Sequence, residues 1–196
     1  MEKEVFQPVR AELARRLAGG GQLVIAIDGR CGSGKTTLGV MLQQEFGGNL
    51  FHTDDFYLPF EKRSPDWEQV ATRNMDFNRL REEVLLPVSR GERVSYGAYD
   101  PMERRMRNVT CAPAALSILE GSYSQHPILR GEEDFLIFLT CDPQIQVERL
   151  LQREGEQRFK RFKQLWIPLE EQYFREYRIE ERCDMVICTD AREGRS

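Results

Sequence analysis

Ile25-Ala-Ile-Asp-Gly-Arg-Cys-Gly-Ser-Gly-Lys-Thr-Thr37 is the stretch whose reading decides the fold. The run from Gln22 to Ile27 is short, apolar and rich in Val and Ile, the composition of a strand buried on both faces. Gly29, Gly34, Lys35 and Thr36 then stand at the G-x-x-x-x-G-K-[ST] spacing. Leu38, Met41, Leu42 and Phe46 follow with helical period. Strand, glycine-rich loop and helix therefore come in the order a phosphate-binding loop needs. Gly29 and Gly34 permit a backbone that turns its N–H groups inward, at the positive end of a helix dipole. The loop from Gly29 through Arg30, Cys31, Gly32, Ser33, Gly34, Lys35 and Thr36 to Thr37 is thus the candidate nucleotide site. Lys35 would reach the β- and γ-phosphates, and the Thr36 hydroxyl would hold Mg²⁺.

On either side the chain alternates between helical and strand patterns. Residues 4–18 read as an amphipathic helix with Phe6, Val9, Leu13 and Leu17 on one face, ended by Gly19-Gly20-Gly21. Residues 49–53 form a second short strand that runs into Asp54-Asp55-Phe56-Tyr57, where ligands bind in open parallel sheets. Residues 60–74 read as a polar surface excursion. Asp76 can cap a helix over 77–89, and 93–99 suggests a strand or hairpin off the main sheet. Residues 116–120, 134–140 and 185–188 are further strand candidates. Pro143 opens a helix, 153–163 is charged like a mobile lid, and 168–180 returns to helix with Trp166, Leu169, Tyr173 and Phe174 as its buried stripe. The tail from Asp190 onward is polar and reads as frayed.

This pattern predicts an α/β fold of the three-layer P-loop NTPase kind: a five-stranded, mainly parallel sheet with helices on both sides and a small helical lid. One domain would span 1–196, with the lid at about 153–163 and an acceptor-side excursion at about 54–110. A net charge of −4 makes no case for a nucleic-acid or acidic-membrane partner. The five cysteines are odd in number and lack a C-x-x-C pair, which argues for a reducing interior. The N-terminal residues do not read as a signal peptide, and no apolar run reaches membrane length, so a cytoplasmic location is expected.

Neither N-K-x-D nor D-x-x-G occurs, so a GTPase switch is disfavoured; L-S-G-G-Q is absent, and Glu120 stands where a motor ATPase would carry Asp. The motifs present are similar to those of the uridine kinase and phosphoribulokinase-like family, in order from about Gln22 to Cys188. They are Asp54-Asp55-Phe56-Tyr57, Asn74-Met75-Asp76, Tyr99-Asp100, Glu120-Gly121 and the lid arginines Arg149 and Arg153. The resemblance implies ATP-dependent phosphorylation of a hydroxyl on a small acceptor, with Mg²⁺ as cofactor. By family position, Asp76, Tyr99 and Arg104 are candidates for acceptor binding, and Tyr57 could stack on a base. Arg104 stands where uridine kinases carry a base-recognising His. The 5′-hydroxyl of a nucleoside such as uridine or cytidine is the first acceptor implied; pantothenate and sugar phosphates belong to the same skeleton. A non-catalytic nucleotide sensor is the remaining alternative, and the motifs leave open ATP or GTP as donor and the oligomeric state.

Among individual residues, Asp54 is the candidate general base, because a carboxylate on the acceptor hydroxyl can orient it and take its proton. Asp55 is the rival one position on. Glu120 would sit near the metal through a water, whereas His52 reads as structural. Arg149 and Arg153, four apart on one helical face, could grip phosphate oxygens, and Arg153 is the candidate for transition-state charge. Arg158 and Arg161 are weaker lid candidates. Cys31 reads as a small residue tolerated in the loop, with oxidation of its thiol a further expectation.

Overall fold

The computed structural model describes residues 2–190; of the tail expected to fray, 191–196 lie outside the described residues. Five strands form a wholly parallel sheet in the order β2-β5-β1-β6-β7: β1 (Leu23–Gly29), β2 (Asn49–His52), β5 (Leu116–Glu120), β6 (Phe135–Thr140) and β7 (Met185–Cys188). The central strand β1 is buried along its whole length, with Ile25 opposite Ile118 on one side and Phe135 on the other. Strand pleating divides its side chains between two cores. Ile25 and Ile27 pack with helices α1 (Gln7–Ala18) and α2 (Lys35–Phe46) through Phe6, Val9, Leu13, Leu38 and Leu42. Val24 and, from neighbouring strands, Phe51, Leu119 and Phe138 pack the other way. There they meet a helix over 77–89 (α3) and the C-terminal helix α5 (Ile167–Tyr177). The result is the three-layer α/β sandwich that the sequence implies.

The expected helix over 4–18 is broken at Phe6 (φ −95°, ψ 3°): a single helical turn, Glu2–Val5, precedes it, and α1 starts afresh at Gln7 with Pro8 in its first turn. Both π-turns among the described residues have one cause. Arg81–Leu85 precedes Pro87, and Phe162–Trp166 precedes Pro168. A proline offers no N–H to the turn before it, and the wider turn relieves its clash with the preceding carbonyl. The hairpin that the sequence only suggests is real: β3 (Val94–Asp100) pairs antiparallel with β4 (Arg105–Cys111). β4 left no signal, since its residues are mostly exposed and polar.

Two segments differ from expectation in ways that shape the site. Residues 60–74 are no mere surface excursion: Ala71 and Asn74 are buried, and Trp67 packs against the core around α3. The charged stretch 153–163 is helical as far as Arg161, continuing α4 (Pro143–Arg161) across a break at Gly155 (φ 74°, ψ 166°). Phe162 then supplies an apolar contact that the charge pattern concealed. Among the described residues, no helix is long and apolar enough to cross a membrane.

Two glycines with positive φ separate backbone preference from close approach. Gly20 (φ 74°) has nothing within 4 Å of where a Cβ would stand, whereas a Cβ on Gly29 (φ 136°) would lie 2.0 Å from the Leu139 carbonyl oxygen. Gly20→Ala should therefore cost only the left-handed penalty of about 1–2 kcal/mol. Gly29→Ala should cost about 4 kcal/mol or more, because β1 and β6 must part. Urea unfolding of the two variants checks this, and equal losses would remove the β6 contact as the reason for Gly29.

Candidate active site

The loop after β1 is held open by its own backbone. Gly29, Gly32 and Gly34 adopt φ of 136°, 77° and 96°, and Gly34 is the N-terminal cap of α2. Arg30 N–H donates to the Leu139 carbonyl at 3.0 Å and Ser33 N–H to that of Arg30 at 3.0 Å, closing the curl. The Lys35 ammonium folds back on the loop, donating to the carbonyls of Gly29 (2.6 Å) and Arg30 (3.1 Å). A cavity of about 370 Å³ opens in front of it. The loop residues Cys31, Gly32, Gly34, Lys35, Thr36 and Thr37 form one wall. Asp54, Glu120, Gly121, Ser122, Tyr123 and Glu170 form the floor. Tyr57, Phe60, Arg63, Trp67, Phe162 and Trp166 form the far side, with Pro101, Arg153 and Arg161 at its margin.

Asp54 and Asp55 are neighbours within the short 3₁₀ turn Thr53–Phe56 that follows β2, and their side chains take different directions. Asp54 is open to the cavity. Asp55 turns away and accepts a 2.8 Å hydrogen bond from the Tyr96 hydroxyl of β3. The surrounding protein and the nearby charge of Glu120 push the Asp54 carboxyl above its usual range, while Lys35, a hydrogen bond from Tyr57 and His52 pull the other way. A carboxylate so placed is a better proton acceptor than one in water. Burial together with Asp54 keeps the Tyr57 phenol protonated.

Glu120 ends β5 almost fully buried. Both of its oxygens accept from the Thr36 hydroxyl at 3.2 Å, and His52 Nδ1 contacts one of them. The Glu120 carboxylate raises the pKa of His52 through that hydrogen bond. Thr36 and Glu120 are hard oxygen donors on the phosphate side, suited to a Mg²⁺ ion that takes its remaining ligands from phosphates and water. Among the described residues there is no group of three or more His, Cys, Asp or Glu side chains able to hold a metal by themselves.

Several residues predicted for the site stand elsewhere. Asp76 caps α3, accepting from Arg79 N–H at 3.2 Å, and does not line the cavity. Tyr99 is buried in β3, so only Pro101 of that turn reaches the cavity. Arg104 sits exposed at the hairpin tip (φ 51°), its guanidinium carbon 5.8 Å from the centre of the Phe60 ring, and does not line the cavity. Arg149 braces the loop from outside, donating to the Gly32 carbonyl at 3.2 Å and to Thr189 Oγ1 at 2.9 Å. Asp76 is taken by a backbone amide, Arg149 by backbone carbonyls and Thr189, and Tyr99 by burial, while Arg104 stays in solvent. Arg153 does line the cavity and pairs with Glu154 at 2.8 Å. Arg161 also lines it, whereas Arg158 does not and lies 3.3 Å from Glu154.

Other residues carry more than the sequence suggested. Glu170 of α5 accepts from Cys31 N–H (2.9 Å) and from the Ser122 hydroxyl (2.6 Å), tying the C-terminal helix to the loop and to the end of β5. Burial and this carboxylate push the Cys31 thiol far up, so the expected oxidation-sensitive thiolate is not available. Asp28, fully buried beneath the loop, accepts from Gly29 N–H (2.7 Å), Gln125 N–H (3.1 Å) and the Tyr173 hydroxyl (2.8 Å). One acidic residue in an otherwise apolar strand was the available signal for it.

A curled glycine loop at the end of a central parallel strand, a lysine within it and a Thr–Glu pair beside it define the P-loop nucleotide-fold class. Within that class, the fold is that of the P-loop kinases. It superposes on a possible uridine kinase from Bacillus stearothermophilus with a TM-score of 0.71 and 23% identity, covering 95% of this chain and 99% of that one. A candidate fructose transport system kinase from Silicibacter sp. TM1040 gives 0.66 and 21% over 85% and 90% of the two chains. The D-glycerate 3-kinase from Cryptococcus neoformans gives 0.62 and 17% over 87% of each. No family model and no curated protein sequence matches the chain.

Burial raises the Asp28 pKa from 3.8 to about 6, against the opposing pull of Lys35 and the three hydrogen bonds. The folded state therefore binds this proton more tightly than the unfolded chain does. Stability from this group is full below about pH 4 and falls by on the order of 3 kcal/mol as pH rises to about 6. Asp28→Asn should lack that fall, so the difference between its unfolding free energy and that of wild type should change across pH 4–6.5 in the variant's favour. Parallel pH curves would show that Asp28 stays charged throughout.

Proposed function

We propose that the protein is an ATP-dependent kinase that transfers the γ-phosphoryl group to a hydroxyl of a small metabolite. The observation that carries this reading is Asp54, a carboxylate of raised basicity on the floor of the same cavity that the phosphate loop walls. A sensor that only bound nucleotide would need the loop but no such base beside room for a second molecule. The loop amides from Gly29 to Thr37 and Lys35 would cradle the phosphates. Thr36 and, through water, Glu120 would hold Mg²⁺, which neutralises phosphate charge when bound.

Asp54 would accept the proton of the acceptor hydroxyl as its oxygen bonds to the γ-phosphorus and the bond to ADP breaks. Arg153 can leave Glu154 for the charge that spreads over the phosphoryl oxygens in a loose transition state. The motif order Asp54-Asp55-Phe56-Tyr57, Asn74-Met75-Asp76, Tyr99-Asp100 and Glu120-Gly121, similar to that of uridine kinases, supports a nucleoside acceptor such as uridine or cytidine, phosphorylated at its 5′-hydroxyl. A second reading, an acceptor such as pantothenate or a sugar phosphate, is favoured because Arg104, in the place of the base-recognising His, lies outside the cavity. All five cysteines are free, which supports a reducing, cytoplasmic setting for such an enzyme.

Asp54→Asn should bind Mg·ATP as wild type does and lose on the order of 10²-fold in kcat, the usual scale of general-base assistance. Asp55→Asn should lose far less, since its partner is Tyr96. A coupled assay of acceptor-stimulated ADP release checks both, and full turnover by Asp54→Asn would remove the base.

Titration calorimetry tests the loop separately. Lys35→Ala should fold and bind no ATP, whereas wild-type affinity in that variant would sink the nucleotide site. Arg153→Ala should lower kcat about tenfold with little change in the acceptor KM, as for a contact made mainly in the transition state. An unchanged kcat would leave Arg153 as a surface partner of Glu154.

A further inference from the structure

We infer that the acceptor carries, besides the hydroxyl to be phosphorylated, an anionic carboxylate or phosphate group, and that this group seats on the guanidinium of Arg63. The inference rests on the kinase reading above and narrows its acceptor.

The cations that line the cavity are not equivalent. Lys35 is committed to the loop carbonyls and the nucleotide phosphates. Arg153 pairs with Glu154 and Arg161 with Glu68, each at 2.8 Å. Arg63 donates only its Nε–H, to the Leu58 carbonyl at 2.8 Å. Among the described residues, its two terminal nitrogens have no hydrogen-bond partner and no carboxylate. Yet this guanidinium is half-buried, 4.1 Å from the centre of the Phe60 ring and 4.5 Å from that of Trp67. Burial pulls its pKa down, and the nearby Glu68 carboxylate, which is hydrogen-bonded to Arg161 instead, offsets that only in part. A planar fork held against ring faces with its outer nitrogens free is preorganised for two parallel bonds to a carboxylate or phosphate.

Its position fits an acceptor. Tyr57 stands between the two ends of the site: its hydroxyl is close enough to Asp54 to pull the carboxyl's pKa down, and its ring centre lies 6.0 Å from the Arg63 guanidinium carbon. Hydroxyl and anion would thus be separated by roughly one tyrosine ring, the span of a small hydroxy acid or sugar phosphate. A second unfilled group points the same way. Tyr123, 1% exposed and on the cavity floor, has a hydroxyl with no hydrogen-bond partner. A buried phenol usually finds an oxygen, and a bound acceptor would provide one.

The same geometry disfavours a neutral base. The rings that could stack on it already carry cations: Phe60 and Trp67 face Arg63, and Trp67 and Trp166 lie 5.9 and 6.0 Å from Arg161. The aromatic side works as a scaffold for positive charge, and positive charge selects an anion.

The test measures ADP release at saturating Mg·ATP with acceptors paired by charge: D-glycerate and glycerol, pantothenate and panthenol, ribose 5-phosphate and ribose, with uridine beside them. At least one anionic member should stimulate release tenfold or more over its neutral partner, and which pair responds separates carboxylate from phosphate. Arg63→Gln should then lower kcat/KM for that anion at least tenfold, mostly through KM, while the KM for ATP stays put. Arg63→Lys, which keeps the charge but not the fork, should fall between; it also serves if the Gln variant does not fold. Uridine or a neutral partner turning over as well as the anions would overturn this inference and leave the kinase reading intact. ATP binding without stimulation by any acceptor would defeat both.

Discussion

The rest of the site depends on the close approach of Gly29 to the backbone of β6. A Cβ at this position would stand 2.0 Å from the Leu139 carbonyl oxygen, so β1 and β6 can close only around a bare α-carbon. With φ at 136°, Gly29 also turns the chain out of the sheet and into the loop. The loop is then fixed from below: Arg30 N–H bonds to the same Leu139 carbonyl, and Asp28 takes the Gly29 amide. Every later feature inherits its position from this turn, including the direction of Lys35 and the start of α2.

A second layer of constraint comes from α5. Its Glu170 reaches the Cys31 amide and its Tyr173 reaches Asp28, so one helix holds the loop at two points a turn apart. Both contacts are buried and polar, where an unpaired partner is costly. That cost makes them specific: the helix has little freedom to slide while both are satisfied. Because α5 follows the charged segment ending at Trp166, the position of the cavity's margin is coupled to the loop through the same helix.

The far side of the cavity obeys a different logic. Tyr57, Phe60, Trp67 and Trp166 form a loosely tilted cluster with centroid distances of 5.9–6.4 Å. They come from the end of β2, the 60–74 loop and the C-terminal helical segment, and they meet over arginines as much as over one another. Such a cluster packs apolar area and fixes cationic heads in one place, which separates an acceptor end from the phosphate end of one cavity.

The local pattern determined much of this. The glycine, lysine and threonine spacing, the β-branched strands, the Asp76 and Pro143 helix starts and the five-strand count are all written in neighbouring residues. Backbone dihedrals and strand burial respond to neighbours, and for that reason they are legible. The three-layer class and the placement of Asp54 just past a strand end followed from them, whereas the 3₁₀ turn that holds Asp54 and Asp55 did not, since the strand pattern reads on as extended chain. The destinations of long polar side chains were decided only by the tertiary structure. Tyr173 meets Asp28 across 145 residues and Glu170 meets Cys31 across 139, and no local spacing encodes either. For the same reason Arg149 became an outer brace and Arg104 an exposed hairpin residue, while Arg63 and Trp67 came out of a segment that reads as surface. A charged side chain goes to whichever partner the packed elements bring within hydrogen-bond distance, and that partner exists only once the layers have closed.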